Sequence, residues 1–318
     1  MKKQLLTAVS LGMGLALTLT ACGGSSSSSG GGATAGTLAG ASITVGSKDF
    51  DEQLVLGNIT KLALQNAGAD VTDQINLGGT NVARKALTSG SIDTYWEYNG
   101  TAWISFFGNT DPIPDRQKQY QAVADKDLKD NNLVWLKPAE FNNTYALAYP
   151  SSAAGQLGNP TTLSDLSALI KNNPSQASLC VENEFSTRND GLPGLEAAYG
   201  FTFPKDQVTV LDTALVYTQA AKQDPCNFGE VFTSDGRVVG LDLTVLKDDM
   251  GFFPLYNPSP VFTKAIYDQY GPALDTIFNP ISAALTQDAM NEMNKQVSVD
   301  LMRPEQVAKT WLSDNGFI

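Results

Sequence analysis

Strand and helix patterns alternate along the chain, and this alternation constrains the fold more than any other feature. The segment SITVG at residues 42–46 predicts a short strand, and residues 51–66 carry apolar side chains at helical spacing behind two acids. A second strand is predicted at residues 71–77, and a second helix runs from Thr80 through Leu87. Such a βαβα order covers both faces of a mainly parallel sheet with helices, so the sequence predicts an α/β fold.

A second α/β series follows in the later half of the chain, which predicts two lobes. About 280 residues follow the N-terminal leader and tether, too many for one small core. We expect residues 42–145 and 255–318 to form the first lobe and residues 146–254 to form the second. Each lobe would hold a mainly parallel sheet flanked by helices, with a ligand cleft between the lobes.

The N-terminus has the features of an export signal. Residues 1–21 contain two lysines, an apolar run too short to span a bilayer, and small residues before Cys22. Leu19 to Cys22 resembles the bacterial lipobox, in which the cysteine is lipidated; an ordinary cleavage site beside a chance cysteine is the alternative. Residues 22–41 would then be the lipidated Cys22 and a flexible Gly/Ser-rich linker.

Composition excludes several classes of function. Histidine is absent, which excludes His-dependent nucleophilic triads and removes the commonest metal ligand. The net charge of −12 disfavours nucleic acid and anionic lipid as partners. Apart from Cys22, the cysteines are Cys180 and Cys226. An even pair in an exported protein predicts a disulfide worth roughly 3–5 kcal/mol, and two separate buried thiols are the alternative.

An aromatic-rich stretch occupies residues 91–103. Its aromatic residues are Tyr95, Trp96, Tyr98 and Trp103. Aromatic faces beside a turn suit a cation that cannot donate hydrogen bonds, although such clusters more often belong to a core. Asp93 and Glu97 lie on one face of the probable strand, as a pair of glycosidase carboxylates could, but nothing nearby supplies the rest of a sugar site.

Seven short motifs occur in an order that resembles a known family. They are GSKDF at 46–50, EYNGT at 97–101, NNTYALA at 142–148, RNDGLPGL at 188–195, FTSDGR at 232–237, FFPLYNPSPVF at 252–262 and VAKTWLSDNGFI at 307–318. Their order and spacing resemble the substrate-binding proteins of osmoprotectant ABC transporters of the glycine betaine/choline/carnitine type. The resemblance covers residues 42–318 and implies a two-lobed, periplasmic-binding-protein-like fold of type II.

The resemblance also implies a ligand site with residues from both lobes. The matching positions are Lys48, Tyr98, Thr101, Asn143, Tyr145, Arg188, Tyr217 and Phe232. Asn99 stands where a threonine is usual, and Phe232 stands where a tyrosine is common. Because Phe232 keeps the negative ring face and loses only a hydroxyl, we expect it to preserve cation binding.

Aromatic rings suit a trimethylammonium group because its charge is diffuse and it has no N–H to donate. Several ring faces can hold it by cation–π attraction, up to about 2 kcal/mol for each desolvated contact. The candidate cage consists of Tyr98, Tyr145, Tyr217 and Phe232. Each of these residues, taken singly, is more typical of a core aromatic than of a ligand contact.

The carboxylate of a betaine would need its own partners. Arg188 can offer two parallel charge-assisted bonds, Lys48 a point charge and Thr101 a hydroxyl. Arg188 could instead form an ion pair with a neighbouring acid such as Asp190 or Glu184. Lys48 could be a solvated turn residue.

The sequence thus predicts an extracytoplasmic binding protein, lipid-anchored to the outer face of the cell membrane. It would capture a quaternary ammonium osmolyte such as glycine betaine, choline or carnitine and deliver it to the membrane subunits of an ABC permease. We expect a monomer that is not an enzyme and has no cofactor, metal or nucleic-acid partner. One alternative is the same fold binding an amino acid or other small polar solute. The other is an anchored, carboxylate-dependent hydrolase.

Overall fold

The computed structural model describes residues 36–318. The predicted signal peptide, Cys22 and the first part of the predicted linker lie outside these residues. Within them, no helix combines the length and the apolar character that crossing a membrane requires.

The chain is already packed at Leu38, so the linker predicted to end at residue 41 is too long. Leu38 is fully buried, and its N–H donates to the carbonyl oxygen of Ala67 at 2.9 Å. Ala41 is buried in the same core. Sequence reasoning missed this contact because a single leucine among Gly, Ala and Thr carries no periodic pattern.

The strands within residues 36–318 form two five-stranded sheets. They are β1 Ser42–Gly46, β2 Asp70–Gln74, β3 Thr94–Tyr98, β4 Leu133–Trp135, β5 Tyr145–Pro150, β6 Leu179–Val181, β7 Val208–Val210, β8 Phe228–Phe232, β9 Leu243–Val245 and β10 Pro258–Thr263. In β1, Ile43 and Val45 are fully buried while Ser42 is exposed, because successive side chains of a strand point to opposite faces.

The two sheets share one strand order. The first runs β2-β1-β3-β10-β4 and the second β7-β6-β8-β5-β9. In the first sheet β1 is parallel to β2 and β3, and β10 is antiparallel to both β3 and β4. The second sheet repeats this pattern, with β5 as its reversed strand. The predicted two-lobed α/β fold is therefore confirmed. Each sheet is mixed, with four strands in one direction and one reversed, and the position of the reversed strand is new.

The chain passes between the two sheets twice, at residues 136–144 and 246–257. The first predicted lobe boundary falls after Tyr145, the first residue of β5. The second falls after Pro254, inside the second crossover. A division of the chain at these two points stays a prediction, and the first and second lobes below denote the parts around the first and second sheets.

Helices connect the strands and complete both cores. They are α1 Asp51–Asn66, α2 Thr80–Thr88, α3 Asn99–Thr101, α4 Arg116–Asn131, α5 Leu163–Asn172, α6 Asn183–Thr187, α7 Leu192–Tyr199, α8 Thr213–Lys222, α9 Arg237–Gly240, α10 Lys264–Ala284, α11 Gln287–Ser298 and α12 Pro304–Asp314. The first turn of α1 carries Asp51 and Glu52, which suit the positive end of a helix dipole. Its Ile59 is buried in the same core as Leu312 of α12.

A disulfide joins Cys180 on β6 to Cys226, which lies just before β8. Both cysteines are fully buried, and β6 pairs with β8 in parallel. The two residues are 46 positions apart in the sequence. By restricting the unfolded chain, a bridge across a loop of this length stabilises the fold by about 4 kcal/mol.

Candidate ligand-binding site

A cleft of about 370 Å³ is lined by residues from both lobes. It lies where the carboxyl ends of parallel strands meet, since Lys48 follows β1, Tyr98 ends β3 and Phe232 ends β8. Of the eight residues that the family resemblance implied, those that line the cleft are Lys48, Tyr98, Thr101, Asn143, Tyr145, Arg188 and Phe232. The structure thus brings together candidate contacts that are far apart in the sequence.

Tyr98 belongs to the wall that the first lobe contributes. Its hydroxyl donates to Oε1 of Glu52 at 2.7 Å and accepts from Nε2 of Gln53 at 3.1 Å, and both partners lie in the first turn of α1. Burial and the neighbouring carboxylate of Glu52 raise the pKa of Tyr98 well above its usual range. The hydroxyl therefore stays protonated and acts as a donor to Glu52.

Lys48 is a buried residue, so the interpretation as a solvated turn residue is wrong. Its side chain is almost completely enclosed, and Nζ lies 2.7 Å from Oε1 of Glu97 and 5.0 Å from the centre of the Tyr98 ring. Glu97 is fully buried and also accepts from the hydroxyl of Tyr95 at 2.5 Å. The charge of Lys48 is therefore already matched by a buried carboxylate.

Asp93 and Glu97 do not form a carboxylate pair in the cleft. Among the residues described, neither is part of the cleft lining. Oδ2 of Asp93 accepts from the backbone N–H of Thr44 at 2.8 Å, while Glu97 pairs with Lys48. Both carboxylates serve the structure of the first lobe, so the hydrolase interpretation loses the residues on which it rested.

Tyr145 and Phe232 belong to the opposite wall. The antiparallel pairing of β5 with β8 places them directly opposite each other, and their ring centroids are 5.1 Å apart. Phe185 and Tyr256 also contact the Tyr145 ring, at 5.0 and 5.4 Å between centroids. Within residues 36–318 the hydroxyl of Tyr145 makes no hydrogen bond. Its side chain is held by ring contacts and by the Arg188 guanidinium, which lies 5.8 Å from the ring centre.

Phe50 adds a ring that the sequence did not assign to the site. It lines the cleft and stacks on Phe232, with centroids 5.5 Å apart and ring planes 18° apart. Its centroid lies 6.2 Å from that of Tyr98, so Phe50 links the two walls. Phe50 belongs to the GSKDF motif, but the sequence of a turn does not indicate in which direction its phenylalanine side chain points.

Tyr217 does not join the cage, which corrects the assignment taken from the family resemblance. It is fully buried on α8 and is not among the described residues that line the cleft. Its hydroxyl accepts the backbone N–H of Phe232 at 2.8 Å, and its ring lies 4.4 Å from the Arg237 guanidinium. Tyr217 therefore fixes the backbone at Phe232 and does not face a solute.

Arg188 lines the cleft but already forms ion pairs with neighbouring acids, which is the alternative that the sequence left open. Its Nε and Nη2 bond the two carboxylate oxygens of Asp190 at 2.8 and 2.5 Å, and Nη1 lies 3.4 Å from Oε2 of Glu184. The hydroxyl of Tyr256 also donates to Asp190, at 2.7 Å. A solute carboxylate would therefore meet Arg188 beside an existing negative charge.

Glu184 joins the second lobe to the first across the cleft. Its Oε1 accepts from the backbone N–H of Thr80, the first residue of α2, at 2.7 Å. A Cβ on Gly79 would lie 2.6 Å from that oxygen, so any other residue there would displace the Glu184 carboxylate. Burial opposes the charge of Glu184, but Lys48 and the bonds from Thr80 outweigh it and lower its pKa. The carboxylate thus stays ionised at the positive end of a helix.

The cleft contains more acidic than basic side chains. The acids that line it are Asp49, Asp51, Glu182, Glu184 and Asp212. Its cations are Lys48, Arg188 and Arg237, each paired with a protein carboxylate. Within residues 36–318, Asp49 and Asp212 make no side-chain hydrogen bond or ion pair. The cleft therefore favours a solute with a cationic part.

Thr101 and Asn143 differ in what they can offer a solute. Thr101 is nearly enclosed at the end of α3, and its hydroxyl has no hydrogen-bond partner within the described chain. Asn143 uses both ends of its amide, since Nδ2 donates to Glu52 at 2.9 Å and Oδ1 accepts from Ser234 at 2.7 Å. Thr101 is thus available to a solute, whereas Asn143 connects parts of the protein.

Two sheets of one strand order, with an aromatic and mostly acidic cleft, define a two-lobed solute-binding protein. A family model described as the substrate binding domain of ABC-type glycine betaine transport system matches residues 41–314. The chain belongs to this family. It is therefore the extracytoplasmic, solute-binding component of an ABC importer.

Characterised relatives cover nearly the whole described chain. A glycine-betaine-binding protein of Pseudomonas aeruginosa is 37% identical over 89% of this chain and 91% of its own length. The glycine betaine-binding protein YehZ of Escherichia coli is 33% identical over 88% and 92%. The apo structure of YehZ aligns with a TM-score of 0.65 over 87% of this chain and 99% of that one. These matches confirm the family and fold that the motifs predicted.

A third relative extends the range of solutes in the family. The ergothioneine transport permease/ergothioneine binding protein EgtU of Helicobacter pylori is 34% identical over 86% of this chain and 48% of its own length. The present chain thus matches about half of a protein that also includes a permease. These relatives are binding proteins of transporters.

Proposed function

We propose that this protein captures a quaternary ammonium solute, such as glycine betaine, choline or carnitine, and delivers it to an ABC permease. The proposal is carried by the aromatic rings that face the cleft, Phe50, Tyr98, Tyr145 and Phe232. Each desolvated ring face attracts a trimethylammonium group by up to about 2 kcal/mol. The binding of glycine betaine by the 37% identical relative supports the same class of solute here.

The polar end of the solute would be held by the remaining cleft residues. Nη1 of Arg188 contacts Glu184 at 3.4 Å and has a second N–H, and Thr101 has an unused hydroxyl, so both residues can bind a carboxylate or hydroxyl. Lys48 adds charge beside the Tyr98 ring. This arrangement would orient a betaine with its cation among the rings and its carboxylate towards Arg188.

Delivery to the permease would depend on closure of the lobes around the solute. Contacts across the cleft support this step, since Glu184 accepts from Thr80 and Phe50 stacks on Phe232. Movement would be confined to the crossovers at residues 136–144 and 246–257. The closed form of a monomer would be the form that the permease recognises.

Calorimetric titration with glycine betaine, choline, carnitine and ergothioneine tests the proposal. We expect saturable binding of at least one of them. The matched control is 3,3-dimethylbutanol, which has the shape of choline without its charge and should bind about tenfold more weakly or worse. Silence of all four quaternary amines at millimolar concentration would overturn the proposal, and equal binding of the neutral alcohol would exclude a cation site.

An amino acid is the second candidate solute. The unpaired carboxylates of Asp49 and Asp212 favour it, because a primary ammonium group needs hydrogen-bond acceptors. The two candidates differ in competition. An amino acid that displaces every quaternary amine would support this alternative, whereas amino acids that fail to displace them would exclude it.

We also propose that lipidated Cys22 anchors the protein to the outer face of the cell membrane. The lipobox resemblance and the Gly/Ser-rich segment that follows support this proposal. In cells fed an alkyne-labelled fatty acid, the full chain should acquire the label and fractionate with membranes. Cys22→Ala should lose both properties, and persistent labelling of this variant would contradict the assignment.

A further inference from the structure

Glu52 lies at the meeting point of the two lobes. Its Oε1 accepts from the hydroxyl of Tyr98 at 2.7 Å and from Nδ2 of Asn143 at 2.9 Å. Its Oε2 lies 2.7 Å from Oγ of Ser234 and accepts from Nδ2 of Asn294 at 2.8 Å. Tyr98 and Asn294 belong to the first lobe, Asn143 to a crossover and Ser234 to the loop after β8. Glu52 therefore connects a ring of the cleft to the contact between the lobes.

The protons in this network can be counted. Glu52, Ser234 and Asn143 form a closed ring of three contacts, because Oδ1 of Asn143 lies 2.7 Å from Oγ of Ser234. Three hydrogen bonds need three protons, and the ring receives one from the Asn143 amide and one from the Ser234 hydroxyl. Exchanging the oxygen and nitrogen positions of the Asn143 amide reverses the direction of the hydrogen bonds but does not change the number of protons they need. The third proton must therefore belong to Glu52.

A neutral Glu52 satisfies every contact in the network. Its protonated Oε2 donates to Ser234, which donates to Asn143, and the same oxygen accepts from Asn294. Its Oε1 accepts from Asn143 and from Tyr98. With an ionised Glu52, the buried Oδ1 of Asn143 would face Ser234 without a donor, which is an unfavourable arrangement.

The charged groups around Glu52 also favour the neutral form. No lysine or arginine within residues 36–318 forms an ion pair with it. The like charge of Asp235 is nearby, and Arg237 is engaged by Asp235 at 2.6 Å and by Asp51 at 3.4 Å. Lys295, next to the amide donor on α11, pairs with a surface aspartate. Burial outweighs the hydrogen bonds that Glu52 accepts and raises its pKa.

We propose that the structure described, with its contacts across the cleft, is the closed form, and that Glu52 is a positioning residue that is neutral in it, so that capture of a solute takes up a proton. In the open form Ser234 would move away with the second lobe, and Glu52 would meet water and ionise at neutral pH. Closure restores the ring of hydrogen bonds and requires the proton. The inference rests on the proposed function, because solute binding favours closure. Affinity should therefore increase as the pH falls, by up to about tenfold per pH unit.

Calorimetry in two buffers, phosphate and Tris, at pH 7 measures proton uptake directly. The solute is the tightest binder among glycine betaine, choline, carnitine and ergothioneine. The two buffers differ in ionisation enthalpy, so wild-type heats should differ by an amount that corresponds to up to about one proton per solute. Glu52→Gln supplies the third proton from its amide but cannot accept from Asn294 through that nitrogen. Because Glu52 and Asn294 both belong to the first lobe, this loss affects the open and closed forms alike. It should bind within about threefold of wild type at pH 6, without proton uptake or pH dependence between pH 6 and 8. Glu52→Ala should bind more weakly throughout.

Glu230→Gln is the matched control. Glu230 is also a buried acid with a raised pKa, but its recorded partner, the backbone N–H of Glu182, lies in the same lobe. Proton uptake should persist in this variant. Saturable wild-type binding without proton uptake, or uptake that persists in Glu52→Gln, would overturn this inference alone. No heat with any of the four solutes would overturn the proposed function together with it.

Discussion

The two walls of the cleft have similar backbones and different side-chain support. Both lie at the ends of strands in sheets of one order. In the first wall, hydrogen bonds to Glu52 and Gln53 hold Tyr98. In the second, Tyr145 makes ring contacts with neighbours such as Phe185 and no hydrogen bond through its hydroxyl within the described chain.

This difference shows that one architecture can present aromatic rings by two physical means. The first wall depends on the protonation of a buried acid, so pH and single-atom changes should affect it. The second depends on packing, which responds to lost volume and much less to a lost hydroxyl. Substitutions that separate these responses therefore test the comparison.

Glu230, on the strand that ends in Phe232, should give the largest effect. It is buried, and within residues 36–318 its Oε1 has no hydrogen-bond partner, whereas both oxygens of Glu52 are satisfied. Burial raises the pKa of Glu230 to about 8 from its ordinary value of 4.5. Between these values the folded state binds more protons than the unfolded chain. Stability should therefore fall as the pH rises through this window, by up to about 1.4 kcal/mol per pH unit.

Urea unfolding of wild type and Glu230→Gln between pH 5 and 8 measures this slope. The variant should lack the contribution of Glu230 to the slope, because its amide does not titrate. Glu292→Gln, at an exposed position on α11, should retain the wild-type slope. Identical slopes in wild type and Glu230→Gln would show that Glu230 is already ionised in the folded protein.

Substitution of the two tyrosines should give the next largest effect. Tyr98→Ala and Tyr145→Ala should each weaken solute binding about tenfold or more, because each removes a ring face from the cation. The phenylalanine variants distinguish the two walls by their response to the loss of a hydroxyl. Tyr98→Phe loses the bond to Glu52 and should bind about three- to tenfold more weakly, whereas Tyr145→Phe should stay within about twofold. Equal losses in the two phenylalanine variants, measured by calorimetry, would contradict the comparison.

Arg188→Ala should weaken the binding of solutes that carry a carboxylate more than the binding of solutes that do not. We expect about a tenfold loss for glycine betaine and about threefold or less for choline, since only the betaine uses the guanidinium. The variant also leaves Asp190 with Tyr256 as its remaining partner, so stability should be measured in parallel. Equal losses for the two solutes would contradict a carboxylate role for Arg188.

Tyr217→Phe should give the smallest effect on binding. The loss of its hydroxyl removes a bond to the Phe232 backbone and should lower stability by about 1 kcal/mol. Solute affinity should stay within about threefold of wild type, because Tyr217 does not face the cleft. A tenfold loss of affinity without loss of stability would show that Tyr217 contributes to solute binding directly.

Local sequence patterns predicted much of the fold. β1 and α1 have the bounds that the sequence predicted, because the strand segment, the helical spacing and the two acids at the helix start all agree there. The reversed strands β5 and β10 were beyond such reasoning. Each lies among strands that are distant in the sequence, and strand direction depends on those partners and not on local pattern.

The site was predictable where a motif determined backbone position and less so where orientation mattered. Tyr98 and Phe232 end strands, and both line the cleft. Tyr217 lies on α8, where a small rotation of the helix decides whether the side chain faces the cleft or the core. The local sequence does not indicate this rotation. The network of Glu52 links residues up to 242 positions apart, so its hydrogen bonds appear only in the folded chain.

A crystal structure with glycine betaine or choline bound tests the central claim most directly. The account predicts the trimethylammonium group within about 6 Å of the ring centroids of Tyr98, Tyr145 and Phe232. It also predicts that the Tyr217 ring will make no contact with the solute. A cationic group seated on Asp49 or Asp212 and away from these rings would contradict the account.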